Sequence, residues 1–381
     1  MSSMWRVIPI LTLALLVMAA PAEAGRRVVP QGFYGVMWDR GVEKAPPAVQ
    51  EDEWALMARS GVESVRTPFV WAKMQDQAGA QPDFSETDRL VTRAAAHRIK
   101  LLPVVLGTPF WAARYPRESA SPPRRPADYA AFLRRLVQRY GPRGSFWDEY
   151  PELPRRPVRE WQIWNEVHFN AYWQARPGRP NSWAPDYVRL LRASKRAIEG
   201  VDRRATIVLS ALADFSWDHL ERLYRAGAGG HFDLAAVNLF TSRPANVIKG
   251  LRRVRGVMRR HRGGRRPLWL TESTWPAAKG RVPPPGPAWQ RAWYTTDPGM
   301  ASRLTELYRL AVRNRRLLRL ARVYWYTWSS PYWGSEDLFE YSGLSTYAGG
   351  AFDRHPALAA YTASARRHEG CAKTSAGTCA P

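Results

Sequence analysis

REWQIWNEVHF, residues 159–169, has the apolar and aromatic character of a buried β-strand, yet it stops on an amide and a carboxylic acid, Asn165 and Glu166. Strands ordinarily give way to Gly, Pro, Asn or Asp at a turn. An acid placed there, after two tryptophans, asks for a chemical reason. Seven other short β-type runs accompany it: FYGVMW (33–38), VESVRT (62–67), LLPVVLG (101–107), TIVLSAL (206–212), FDLAAVNLF (232–240), PLWLTE (267–272) and RVYWYTW (322–328). Between them, segments such as 129–140, 187–198, 247–258 and 304–317 place apolar residues at i, i+3 and i+4, the spacing of amphipathic helices. Eight strands alternating with helices predict an α/β fold, a parallel (β/α)8 TIM barrel forming one catalytic domain. The rival is an open doubly wound sheet. It calls for a glycine-rich phosphate turn after the first strand, and GVMWDRG (35–41) has none. A closing helix is expected near 356–366.

The first 24 residues read as a secretory signal peptide: Arg6, an apolar run from Ile8 to Ala20, and a small-x-small site at Ala22-Glu23-Ala24. The barrel then occupies 25–368, and 369–381 form a tail. Export makes a Cys371–Cys379 disulfide credible in that tail. Two cysteines without neighbouring histidines offer no zinc site, and neither metal nor cofactor is expected. No later stretch is apolar over the roughly 18 residues a membrane span needs, so a secreted or envelope-associated soluble monomer is the expectation. The formal charge is +24, and only seven of the 57 basic residues are lysine. Such a charge suits acidic partners. The arginines are nevertheless scattered along helices with no aromatic interleaving, so nucleic acid is not an expected partner.

In a barrel of this kind, reactive groups stand at the C-terminal ends of strands. That rule singles out Glu166 on the fourth run and Glu272 on the seventh. Two carboxyls brought to about 5 Å are what a retaining glycosidase uses, one as acid/base and the other as nucleophile. An acid needs a partly apolar setting that keeps it protonated, and Trp161 and Trp164 share its run. A nucleophile must stay ionised, which a cation such as Arg66 favours.

On these residues the chain resembles the clan A glycoside hydrolases, most closely the family 39 and family 5 type. WQIWNE resembles their Trp-x-x-x-Asn-Glu segment on strand four, and PLWLTE their nucleophile segment on strand seven. The resemblance runs through VRTPFVWAKMQ (65–75), DFSETDRLVTRAAAHRIKLLPVVLGTPFW (83–111) and YWYTW (324–328). It implies that Glu166 is the acid/base and Glu272 the nucleophile of a retaining enzyme cleaving β-glycosidic bonds in a carbohydrate substrate. It further implies that Asn165 bonds the sugar 2-hydroxyl, Arg66 orients the nucleophile, and Trp328 floors the subsite of the cleaved sugar. Two departures stand out. Strand six ends on Asn238, Leu239 and Phe240 where many members have His-x-Tyr, leaving Tyr294 or Tyr326 to replace that tyrosine; and Val167-His168 follow Glu166 where Pro-Asn is common.

Sugar rings stack on indole, and the chain holds 18 tryptophans. Trp38, Trp71, Trp111, Trp173, Trp275, Trp328 and Trp333 fall at or just past strand ends, and about half are expected to line the cleft, with His168 and Asn238 as further binding candidates. Asp39, Asp214 and Glu336 are placed to meet hydroxyls or, equally, to cap helices. Two other functions remain open at this stage: a catalytically silent glycan-binding barrel, and a basic cell-surface protein that binds acidic polymers.

Overall fold

The computed structural model describes residues 27–39, 42–331, 334 and 336–369. The expected signal peptide, Cys371, Cys379 and Trp333 lie outside them. Eight parallel strands form the barrel: β1 (Tyr34–Met37), β2 (Ser64–Val70), β3 (Lys100–Leu106), β4 (Glu160–Ile163), β5 (Thr206–Val208), β6 (Ala235–Asn238), β7 (Leu268–Glu272) and β8 (Leu320–Trp325). Their order is β5-β4-β3-β2-β1-β8-β7-β6. The remaining seam, β5 to β6, is drawn together by the bridges Val208–Leu234 and Leu212–Val237. The (β/α)8 barrel read from the alternation is therefore the observed fold.

The helices are α1 (Pro47–Arg59), α2 (Trp71–Met74), α3 (Ser85–Ala96), α4 (Pro126–Tyr140), α5 (Phe146–Glu149), α6 (Trp183–Glu199), α7 (Ser216–Arg225), α8 (Pro244–Arg260), α9 (Ala288–Trp293), α10 (Asp297–Leu318) and α11 (Pro356–Glu369). Proline begins α1, α4 and α8, where its fixed φ suits a first helical turn and its missing N–H costs nothing. On α6, Tyr187, Leu190, Leu191, Ser194, Ala197 and Ile198 form one buried stripe. A small sheet of β9 (Ser329–Ser330), β10 (Ser345–Ala348) and β11 (Ala351–Arg354) follows β8.

Alternation along the strands divides the core in two. One set of side chains packs between sheet and helices. The other points into the barrel, where Leu102, Val208, Ala236, Trp269 and Tyr324 form a separate apolar cluster. Hydrogen bonds between non-adjacent strands must cross that interior. At its lower end Arg322 of β8 bonds Glu160 of β4 at 2.6 and 2.5 Å, and lies 4.1 Å above the Trp269 ring. Above it, the Tyr324 hydroxyl meets Ser64 of β2 at 2.7 Å.

Gly35 on β1 leaves room for the Tyr324 ring, which a Cβ at that position would overlap. Tyr324 cannot retreat, because its hydroxyl is tied to Ser64 and Arg322. Gly35→Ala is therefore expected to destabilise the barrel by about 1–3 kcal/mol through overpacking, read from the urea midpoint at unchanged slope.

Candidate active site

Regular pairing on β4 ends at Ile163, three residues before Glu166. The chain continues as an irregular extension: Trp164 and Glu166 adopt positive φ (66° and 44°), and Asn165 makes a single bridge to Ala211. The Glu166 N–H donates to the Ala211 carbonyl at 3.0 Å. Left-handed backbone is costly for residues other than glycine. Here the twist sends both polar side chains inward, while Trp164 turns outward to donate to the Tyr172 carbonyl at 2.8 Å. Trp161 and Trp164 thus pack outside the barrel and do not face the Glu166 carboxyl.

Inside, Arg66 of β2 is completely buried. Its Nε donates to Gln162 at 2.9 Å, one terminal nitrogen to Asn165 Oδ1 at 2.8 Å, and the other to Glu272 at 2.5 Å, with Met37 Sδ at 3.3 Å from the last. Gln162 is itself held by donating to the Trp164 carbonyl at 2.8 Å. With its oxygen so occupied, Asn165 keeps an amide N–H pair that bonds nothing among the described residues.

Glu166 lives in a different environment. Asn238 of β6 donates to it at 2.7 Å, and Asn238 is oriented by accepting from the Thr271 hydroxyl at 2.8 Å. Burial is the main cause, and the neighbouring Glu272 the second, that pushes the Glu166 carboxyl up to about 8. The Asn238 amide and the more distant Arg66 pull the other way. Burial also raises Asp214.

These groups open into one cavity of about 450 Å³ at the C-terminal ends of the strands. Asp39, Arg66, Asn165, Glu166, Asp214 and Glu272 supply its polar groups, and Phe169, Tyr172, Phe240, Trp289, Tyr326 and Phe339 its aromatic ones. The structure therefore brings Glu166, Glu272, Asn165 and Arg66 together. Asn238 is fully buried behind Glu166, does not line the cavity, and holds the acid instead of a ligand.

The tryptophan expectation is corrected. Trp71, Trp275 and Trp328 are fully buried with their indole N–H groups committed to Gln75, the Thr241 carbonyl and Glu53 respectively. Trp38 and Trp173 are buried as well, and Trp111 leans edge-on against Trp71 while donating to the Gln75 carbonyl. None of the six lines the cavity. They pack in or against the apolar core between the barrel and its surrounding helices and loops. The aromatic that β8 presents to the cavity is Tyr326, not Trp328. His168 also points elsewhere: it stacks on His219 with centroids 4.2 Å apart, and burial pushes it down to about 3, so it is neutral at ordinary pH. Tyr294 and the exposed Glu336 lie outside the cavity. Phe169, Tyr172, Trp289 and Phe339 went unnoticed in the sequence, although FNAYW directly after His168 carried a usable signal. Among the described residues no helix is long and apolar enough to cross a membrane.

No protein-family model matches the chain, and no curated protein matches it. Solved structures share its fold. A family 39 glycoside hydrolase from Bacteroides cellulosilyticus WH2 superposes with a TM-score of 0.67 at 16% identity, over 90% of this chain and 64% of that one. A monomeric β-xylosidase from Caulobacter crescentus CB15 gives 0.61 at 16%, over 89% and 69%. The GH53 catalytic domain of Ignisphaera aggregans gives 0.58 at 17%, over 87% and 95%. The chain thus spans just under two thirds of the first of these proteins. At such identities the likeness establishes the barrel itself.

Removing the Arg66 guanidinium leaves Glu272 buried without its cation, leaves the Gln162 amide oxygen without a donor, and leaves Asn165 Oδ1 only the long bond from Gln162 at 3.4 Å. Arg66→Met is expected to cost about 3–5 kcal/mol in unfolding free energy. Glu166 gives a pH signature. Its folded pKa is about 8 against an ordinary value of 4.5, so its contribution to stability is complete below 4.5 and is lost as pH rises through 8. Glu166→Gln should therefore gain stability relative to the parent between those limits, and chemical denaturation at a series of pH values reads the difference.

Proposed function

We propose that this protein is a retaining O-glycoside hydrolase. The observation that carries the reading is one cavity holding two carboxyls whose surroundings differ in kind: Glu166 is buried and kept protonated, and Glu272 is paired with Arg66. Environments that set two acids apart in this way assign an acid and a base or nucleophile. Glu166 donates its proton to the departing glycosidic oxygen while the Glu272 carboxylate attacks the anomeric carbon. Water, deprotonated by Glu166, then releases the sugar. Asn165 offers its free amide N–H to a ring hydroxyl beside the reacting carbon. Tyr326, Phe240 and Trp289 give the ring apolar surfaces to rest against. The shared barrel of the family 39 and GH53 structures supports this assignment, as does the resemblance of WQIWNE and PLWLTE. A silent glycan-binding barrel gives no reason for the Arg66–Glu272 pair beside a protonated acid.

The amino-terminal pattern adds that the enzyme is exported. Amino-terminal sequencing of protein recovered outside the cytoplasm should begin at Gly25.

A panel of 2-fluoro glycosides with good leaving groups tests the chemistry. One member should add a single fluorosugar to the protein, located on Glu272 by peptide mapping, and Glu272→Gln should take up none. Labelling of another residue, or a product of inverted anomeric configuration by NMR, overturns the retaining reading. The pH dependence of kcat/KM supplies a second check, because the acid must carry its proton. Activity should fall as pH rises through about 8. The Asn238 amide favours the ionised carboxyl, so Asn238→Ala should move that limb to higher pH.

A further inference from the structure

The loops after β3 and β4 meet beside the cavity, where the Gln174 N–H donates to the Ala120 carbonyl at 2.8 Å. Beyond that contact, buried Asp186 in the first turn of α6 gathers three arginines: Arg114 at 2.6 Å, Arg176 at 2.8 Å, and Arg189. Arg124 and Arg179 complete the wall, are exposed, and make no side-chain hydrogen bond or ion pair among the described residues. The loop is shaped to show them. Arg176-Pro177-Gly178-Arg179 closes with the Arg179 N–H on the Arg176 carbonyl at 2.9 Å, and Gly178 takes φ 67°, the geometry of a type II turn with Pro and Gly at its centre. The resulting groove holds about 420 Å³ and has Arg114, Arg124, Arg176 and Arg179 on its walls. Burial is the main cause that pushes Arg114 and Arg189 below the usual arginine range; the Arg176 charge adds to it, and Tyr115 pulls Arg114 the other way. One carboxylate cannot balance five guanidinium groups, and an anion seated there would relieve them.

The catalytic cavity has the opposite balance: the carboxyls of Asp39, Asp214 and Glu272, beside the protonated Glu166, face the single guanidinium of Arg66. A ring bearing its own carboxylate would be repelled there. The two sites are close, since Tyr172 lines the cavity and Arg176 lies four residues on, a span of at most about 15 Å for extended chain.

We propose that the groove formed by Arg114, Arg124, Arg176 and Arg179 binds carboxylate or sulfate groups of the same glycan whose uncharged residue occupies the cavity. The enzyme then cuts an acidic polysaccharide at a neutral unit. This substrate assignment rests on the glycosidase reading above.

The test uses the full chain carrying Glu272→Gln, which binds without turnover. Affinities are measured by calorimetry for β-linked hexasaccharides in matched sets: neutral backbone, uronate-bearing form and sulfated form. In at least one set an acidic form should bind about tenfold tighter than the neutral one. Arg124→Gln with Arg179→Gln should abolish that margin, and added salt should shrink it. Arg313→Gln with Arg316→Gln on α10 makes the same change of net charge far from the groove and should leave the margin intact. Equal binding of neutral and acidic forms throughout overturns the proposal. So does a margin that survives the groove substitutions, or a single-stranded DNA oligonucleotide binding as tightly as the best glycan. The uronate and sulfate arms tell which anion is read. Fluorosugar labelling without an acidic preference removes the groove and keeps the glycosidase. An acidic preference lost with the two arginines, but without labelling on any sugar, does the reverse.

Discussion

A charged guanidinium inside a barrel is expensive unless every donor finds an acceptor. Arg66 meets most of that demand through Gln162, Asn165 and Glu272 on two other strands, with the Met37 sulfur against one nitrogen. The requirement runs outward from there. Gln162 can accept from Arg66 because its own amide is turned by the Trp164 carbonyl. Asn165 can reach Arg66 only because the chain abandons regular pairing after Ile163. The positive φ values at Trp164 and Glu166 are thus tied to the buried cation, which holds the backbone where an undistorted strand would not.

The two carboxyls differ because the barrel supplies them with different neighbours. Glu272 meets a cation directly. Glu166 meets a neutral amide whose orientation is set one layer further back by Thr271. A threonine one residue before Glu272 thereby governs the partner of the other acid. The slip in pairing between Val237 and Asn238, which places Asn238 opposite Glu272, brings all three within reach. Removing water from the Glu166 carboxyl does the rest, since a desolvated acid without a cation holds its proton.

Strand positions were legible because the runs are short, apolar and bounded, and the helices because their stripes repeat at 3.6. The acids were legible because Glu166 and Glu272 are out of place at the ends of buried strands. The facing of the aromatic residues was not. In YWYTW (324–328) the period of two cannot be phased without the neighbouring strands, and the structure puts Tyr324 and Tyr326 inside with Trp325 and Trp328 outside. The same ambiguity misplaced Trp71 and Trp275. His168, close to a catalytic acid in sequence, read as a binding candidate, but a second histidine from α7 covers it. Trp289 was hidden for another reason: it sits in the insertion after β7, on the 6-residue helix α9, which is too short for a helical period to stand out.

The formal charge of +24 describes the surface and says little about the reaction centre. Buried positions of the barrel admit only as many cations as they can bond, here Arg66 near the top and Arg322 near the bottom, each against a glutamate. The remaining arginines lie mostly on helices and loops, where solvent screens them. Charge excess and catalytic polarity are therefore set by separate constraints, one by solvation and the other by hydrogen-bond supply. A chain can be strongly basic overall and still build its cavity from carboxyls.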